Sequence, residues 1–230
     1  MLLVGINEER DKVQSAERLL GLLQSFQVVI TVEVLRIFPW GAVTHALNLL
    51  THKARTLVPE SNLILFQSPE VDPDSIALDG LLGVMTKHKN TLVVGHSFKE
   101  HNVPRTLHRG SKSILPIRGD VCPWNTMALW NVNMLSKTGF PAVADQVNPP
   151  GMEEIGVIAL QQQLYGCHSR SARLYCGPGN LSWTTNFDNL ERQERHSGKL
   201  ASKVSRGKEI LKILSAHGSE DSVQIIVHFN

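Results

Sequence analysis

LILFQSPEVDPD, residues 63–74, decides the fold. Leu63, Ile64, Leu65 and Phe66 are apolar without a break, the pattern of a strand covered on both faces. The run then stops in Ser68, Pro69, Glu70, Asp72, Pro73 and Asp74. In an open α/β sheet ligands gather beyond the carboxyl ends of the strands, so acids here are placed for a cation or a sugar hydroxyl. The same residues also make a turn, with Pro69 and Pro73 as breakers and Asp74 capping a helix that begins near Ser75. Both readings are open on this stretch alone.

Working outward, residues 1–6 predict a strand with Asn7, Glu8 and Glu9 at its carboxyl end. Ala16, Leu19, Leu20 and Leu23 recur at helical spacing and predict a helix over 13–23. The β-branched, apolar residues 26–37 predict a second strand, broken by Pro39, Trp40 and Gly41. Residues 42–57 predict a helix with Ala46, Leu47, Leu50 and Ala54 on one face. Downstream, Ile76, Leu78, Leu81, Leu82 and Met85 predict a helix over 75–87, and 91–95 a fourth strand. The order β-α-β-α-β-α-β over the first 95 residues implies a mostly parallel central sheet with helices on both faces, a three-layer α/β/α domain.

The second half is less regular. Residues 96–120 are polar and basic and predict a surface excursion. Residues 155–164 predict a helix, 172–175 a short strand, 190–216 a largely helical stretch with Gly207 as a break, and 223–229 a last strand. The sequence contains no internal repeat or low-complexity segment. At 230 residues it suits one α/β domain, 1–230, with a βα half over 1–95 and a second half over 96–230.

Composition narrows the function. With 42% hydrophobic and 19% charged residues the chain is globular, and a net charge of +2 carries no signature of a nucleic-acid partner. No run approaches the roughly 18 apolar residues that span a bilayer, so no membrane insertion is expected. The opening residues are too short for a signal peptide and lack a basic start. Cys122, Cys167 and Cys176 cannot all pair and none forms a C-x-x-C motif, which points to reduced thiols and a cytoplasmic location.

With that order of elements, the punctuation resembles the family 2 glycosyltransferases and their GT-A nucleotide-diphospho-sugar transferase fold, over about residues 1–206. A first strand ending in Ile6-Asn7-Glu8-Glu9 is similar to the family's strand ending in Asn-Glu. Gly41 with Ala46-Leu47-Asn48 is similar to its Gly and Ala-x-Asn helix. Ser68-Pro69-Glu70 stands where the family has Asp-x-Asp. Pro123-Trp124-Asn125 and Thr138-Gly139-Phe140 are similar to its acceptor loop and Gly-Gly-Phe, and Glu153-Glu154 to the acidic pair that opens a helix. Ser68 replaces the first acid of Asp-x-Asp, and the acids the family carries after the second strand are missing. The resemblance therefore implies either an active, inverting, metal-assisted glycosyltransferase or a non-catalytic nucleotide-sugar-binding or scaffold protein that kept the fold.

Roles follow by the same resemblance. Glu154 would be the base that deprotonates a hydroxyl acceptor, and Glu70 would ligate Mn²⁺ or Mg²⁺ against the diphosphate of a nucleotide sugar, with His196 as a late third ligand. Asn7 and Glu9 would contact base and ribose; as a plain helix start, Asn7 caps and Glu8 and Glu9 suit the helix dipole. Trp124 would stack on a sugar ring, or else is a core aromatic. Arg192, Arg195, His196, Lys199, Lys203 and Arg206 recur at three- and four-residue steps and so share a helix face, with Leu200, Val204 and Leu211 turned inward. Such a stripe suits a diphosphate or a phosphorylated acceptor; otherwise it is, as most charge runs are, a solvated face partly neutralised by Glu191 and Glu194. Glu153 and Glu154 are favoured by the helix dipole in any case.

Overall fold

The computed structural model describes residues 1–7, 32–68, 70–103, 110–178, 181–183, 190–214 and 223–229. The predicted helix over 13–23, Glu9 and the start of the second predicted strand lie outside them, as do the side chains of Asn7, Arg192 and Arg195. The chain forms two compact units, Met1–Ser61 and Asn62–Asn230.

In the first unit, β1 (Leu2–Asn7) pairs in parallel with β2 (Val32–Ile37), with Asn7 opposite Ile37. Helix α1 (Val43–Leu57) follows, and Ile6, Ile37 and Ala46 are buried. These two strands make a sheet of their own.

The second unit is built on β3 (Leu63–Gln67), β5 (Thr91–His96), β6 (Lys112–Pro116), β7 (Met127–Asn131), β8 (Ser171–Cys176) and β10 (Gln224–Phe229). Their order across the sheet is β3-β7-β5-β8-β10-β6. Short β4 (Val71–Pro73) and β9 (Leu181–Trp183) pair separately. The fold is α/β, but the sheet is mixed. Neighbours β5 and β8, and β8 and β10, are parallel, whereas β7 runs antiparallel to β3 and β5, and β6 antiparallel to β10. The expectation that strands one to four adjoin in one mostly parallel sheet is corrected accordingly: β7 inserts between β3 and β5.

Helices flank this sheet: α2 (Ser75–Lys87), the single turns α3 (Val132–Leu135) and α4 (Val143–Gln146), α5 (Glu153–Tyr165), α6 (Leu190–Ala201) and α7 (Lys203–Leu214). The start of α2 is as the sequence predicts: Asp74 Oδ1 accepts the N–H of Ala77 at 2.8 Å. The core is fullest in the middle of the sheet, where Leu92, Val93, Val94, Met127, Ala128, Trp130, Ala172 and Leu174 are shut off from solvent.

Two further expectations are corrected. The excursion over 96–120 contains strand β6, whose side chains alternate between exposed and half-buried as expected of an edge strand. The C-terminal helical stretch breaks at Ser202 rather than Gly207, with Arg206 N–H donating back to Ser202 O at 3.0 Å. The break leaves Val204 44% exposed. The inward face of α7 is instead Lys203, Arg206, Gly207, Ile210 and Leu211, the i, i+3, i+4, i+7, i+8 set of one helix side. Gly207 sits there because the helix approaches residue 119 closely: a Cβ on Gly207 would lie 2.5 Å from Ile155 Cδ1 and 3.2 Å from Gly119 N.

Candidate active site at the carboxyl edge of the sheet

The residues just past β3 and just before β7 meet at one edge. Because β7 is antiparallel to β3, its amino end lies beside the carboxyl end of β3, and Ser68 N–H donates to Thr126 O at 2.9 Å. Beside them, Gly95 near the end of β5 packs so closely on Pro123 that a Cβ there would be 2.6 Å from the proline Cβ. Residues 123–126 therefore cross the carboxyl ends of β3 and β5, the place where α/β sheets bind ligands.

Helix α5 delivers the acidic pair to this loop. Its N-cap, Met152, is held at φ 66° and ψ 33°, a left-handed conformation that costs a non-glycine residue about 1–3 kcal/mol and that collects at functional sites. Glu153 and Glu154 then enter the first turn and both turn to Asn125. Glu154 Oε1 accepts the Asn125 backbone N–H at 2.6 Å, and Glu153 Oε1 accepts from Asn125 Nδ2 at 3.0 Å. Asn125 Oδ1 in turn accepts from Trp130 Nε1 at 2.9 Å. Both glutamates are buried. Burial pushes the Glu154 carboxyl up to about 8, the charge of Glu153 adds to the rise, and the Asn125 N–H and Lys203 oppose it.

Two cations stand on the other side. Lys203 Nζ lies 3.0 Å from the centre of a Trp124 ring. Burial lowers the Lys203 ammonium to about 8, and Glu154 works against that fall. Arg206 Nη1 donates to Pro150 O at 3.0 Å and Nη2 to Lys199 O at 2.6 Å, while its buried Nε has no hydrogen-bond partner among the described residues. Trp124 is itself 2% exposed, stacked at 3.8 Å on His101 and bonded through Nε1 to Gly119 O at 2.9 Å. Its surroundings are those of the core-aromatic alternative. His101 accepts the Phe98 N–H on Nδ1 and so donates from Nε2 to Cys122 O at 3.0 Å, a neutral ring whose protonation burial pushes down to about 3. Cys122 is buried, and its thiol is pushed well up by burial and by Glu154.

The remaining candidates are spread out. Glu70, half-buried after β3, has its N–H 3.4 Å from Ser68 Oγ. His196 is half-buried and Lys199 exposed on α6. Among the described residues, no three His, Cys, Asp or Glu side chains gather as a metal would require. Asn7 belongs to the first unit. Sequence reasoning missed Asn125 as the hub, together with His101 and Arg206 as buried members of the cluster. The signal was present in the resemblance, which set 123–125 and 153–154 apart without pairing them. No helix among the described residues is long and apolar enough to cross a membrane, and the three cysteines are unpaired.

No protein-family model, no curated protein and no solved structure matches the chain.

Proposed function

We propose that this protein is a sugar-nucleotide-dependent glycosyltransferase of GT-A type, inverting, with Glu154 as the base that takes the proton of an acceptor hydroxyl. The observation that carries this reading is the convergence of three places far apart in sequence, Ser68, residues 123–126 and the pair Glu153 and Glu154, on one carboxyl edge. A carboxyl with a strongly raised proton affinity at such an edge is what general base chemistry near neutrality uses. In the proposed step the acceptor oxygen attacks the anomeric carbon, its proton passes to Glu154, and the bond to the nucleoside diphosphate breaks. Lys203 and Arg206 both interact electrostatically with Glu154, and Lys203 would favour its ionisation.

The donor set supplies one carboxylate, Glu70, at the end of β3. That fits a Mg²⁺ or Mn²⁺ carried largely by substrate phosphate oxygens and water rather than a protein-built cage. When bound, the ion would neutralise the leaving diphosphate, with Glu70 as its protein ligand.

A second reading, a non-catalytic binding or scaffold protein, is favoured by one observation. Both glutamates are buried and occupied in holding Asn125, as a structural clamp would be. A thermal-shift screen of UDP-, GDP-, ADP- and CMP-sugars with and without Mn²⁺, followed by transfer assays on any donor that binds, tests both. A ligand at about 100 times its dissociation constant adds roughly 2.7 kcal/mol of stability. Binding with transfer supports the enzyme, binding without transfer a non-catalytic nucleotide-sugar-binding protein, and no shift with any donor removes the enzyme and favours the scaffold.

A further inference from the structure

A separate charged cluster lies on the sheet around Arg173, reaching from Thr91 and Ser171 at the amino ends of β5 and β8 to His228 of β10, which is in register with Tyr175. Arg173 on β8 is buried, and its Nε donates to Thr91 Oγ1 at 2.9 Å and to Ser171 Oγ at 3.1 Å, the first residues of the two strands. Its Nη1 lies 2.7 Å from His228 Nε2 on β10. A guanidinium only donates, so His228 Nε2 is the acceptor and the imidazole is neutral. The His228 ring sits 5.2 Å from that of His88, which caps α2 beside Lys87. On the other side the antiparallel ladder sets Lys112 of β6 directly opposite His228.

An arginine and two histidines from α2, β8 and β10 thus gather together, with Lys87 and Lys112 within electrostatic reach of both histidines. Among the described residues, the close ion pairs are Lys99–Glu100 and Arg118–Asp120, and neither touches this cluster. Thr91 and Ser171 orient the guanidinium but bring no negative charge. A buried arginine keeps its charge, and a buried charge without a counter-charge is strongly unfavourable. The crowding shows in the proton affinities. Burial lowers His228 to about 3 and His88 below its usual value, and Arg173 and Lys112 push both further the same way.

We propose that this cluster binds a phosphoryl oxyanion, either free phosphate or the phosphate of a small ester. Donors arrive from three elements, α2, β6 and β8, rather than from one planar fork, which suits a tetrahedral anion better than a carboxylate. With the anion in place, its charge offsets Arg173, and His88 can add a charge-assisted hydrogen bond. This site does not depend on the transfer reading, since none of its residues belongs to the carboxyl-edge cluster.

Calorimetric titration of the full chain with inorganic phosphate and with glycerol 3-phosphate, against chloride at matched ionic strength, tests it. Saturable binding of either anion is expected; tighter binding of the ester identifies an organic phosphate, tighter binding of the inorganic ion a free one. Lys112→Gln and His88→Asn change exposed or half-exposed side chains, so they should fold and yet weaken binding by roughly tenfold each. Arg173→Gln should abolish it. If neither anion binds the parent beyond the chloride control, or if Lys112→Gln and His88→Asn bind as tightly as the parent, the proposal fails.

Discussion

The backbone N–H of Asn125 donates to Glu154 Oε1 at 2.6 Å, tying the loop that crosses the ends of β3 and β5 to the first turn of α5. The Asn125 side chain completes the tie by bridging Glu153 and Trp130. Asn125→Ala should therefore strip partners from Glu153 Oε1 and from the buried Trp130 indole together. The expected loss is about 1–3 kcal/mol for each group left unpaired, read from urea unfolding. A loss within experimental error would mean that this bridge does not hold the loop.

Glu154→Gln keeps an acceptor for the Asn125 N–H and removes the charge. The folded state raises this carboxyl from 4.5 to about 8, so the group's contribution to stability is full below 4.5 and is lost as pH rises toward 8. The variant lacks that loss. Its stability relative to the parent should climb between those two pH values and level off above, while any transfer activity falls by roughly 10²- to 10⁴-fold. In the parent, transfer should rise with pH through about 8 as the base ionises, and Lys203→Met should move that rise upward, because Lys203 lowers the carboxyl. An activity profile flat across this range in the parent would remove Glu154 as the base.

How much of this was readable beforehand divides by the range of the interaction. The helix over 75–87 and its Asp74 cap follow from local chemistry and were legible. The place of β7 between β3 and β5 was not, since pairing order is a long-range property that periodicity does not encode. Strand β6 escaped notice because an edge strand with one half-covered face mixes Lys112 and Ser113 with Ile114 and Leu115. Lys203 and Arg206 were read as part of a basic stripe suited to a diphosphate or to a solvated face, on a side of the helix away from Leu200, Val204 and Leu211, because charges are usually exposed. In the structure they turn inward toward a site that carries two buried carboxyls.

His101, like His228, contributes to behaviour in acid. Its ring is neutral and buried, so it contributes stability that is present above 6.5 and lost as pH falls toward 3. His101→Phe keeps an aromatic against Trp124 but gives up the bonds to Phe98 N–H and Cys122 O. The variant should be less stable than the parent at pH 7.5. Its stability should nevertheless fall less steeply between pH 6.5 and 4, by up to about 1.4 kcal/mol per pH unit. Parallel curves for the two proteins would mean that His101 takes up its proton in the folded state.

The sharpest test of the packing around the site compares two glycines in neighbouring helices. In an exposed helix interior, Gly→Ala gains about 1 kcal/mol, because alanine loses less backbone freedom on folding. Gly198 in α6 is exposed, with nothing within 4 Å of where a Cβ would stand, so Gly198→Ala should show that gain. Gly207 in α7 faces inward, and its Cβ would meet Ile155 Cδ1 at 2.5 Å and the backbone of Gly119 at 3.2 Å. Ile155 is wholly buried and has little room to swing away, so α7 or the 117–124 loop must shift. Overpacking of this kind costs about 1–3 kcal/mol, which outweighs the helix-propensity gain. Gly207→Ala should therefore destabilise in urea and alter the near-ultraviolet signal of Trp124, because the same helix carries Lys203 against that ring. If the two variants gain stability alike, α7 does not pack against the loop in this way, and Lys203 and Arg206 are not fixed beside Glu154.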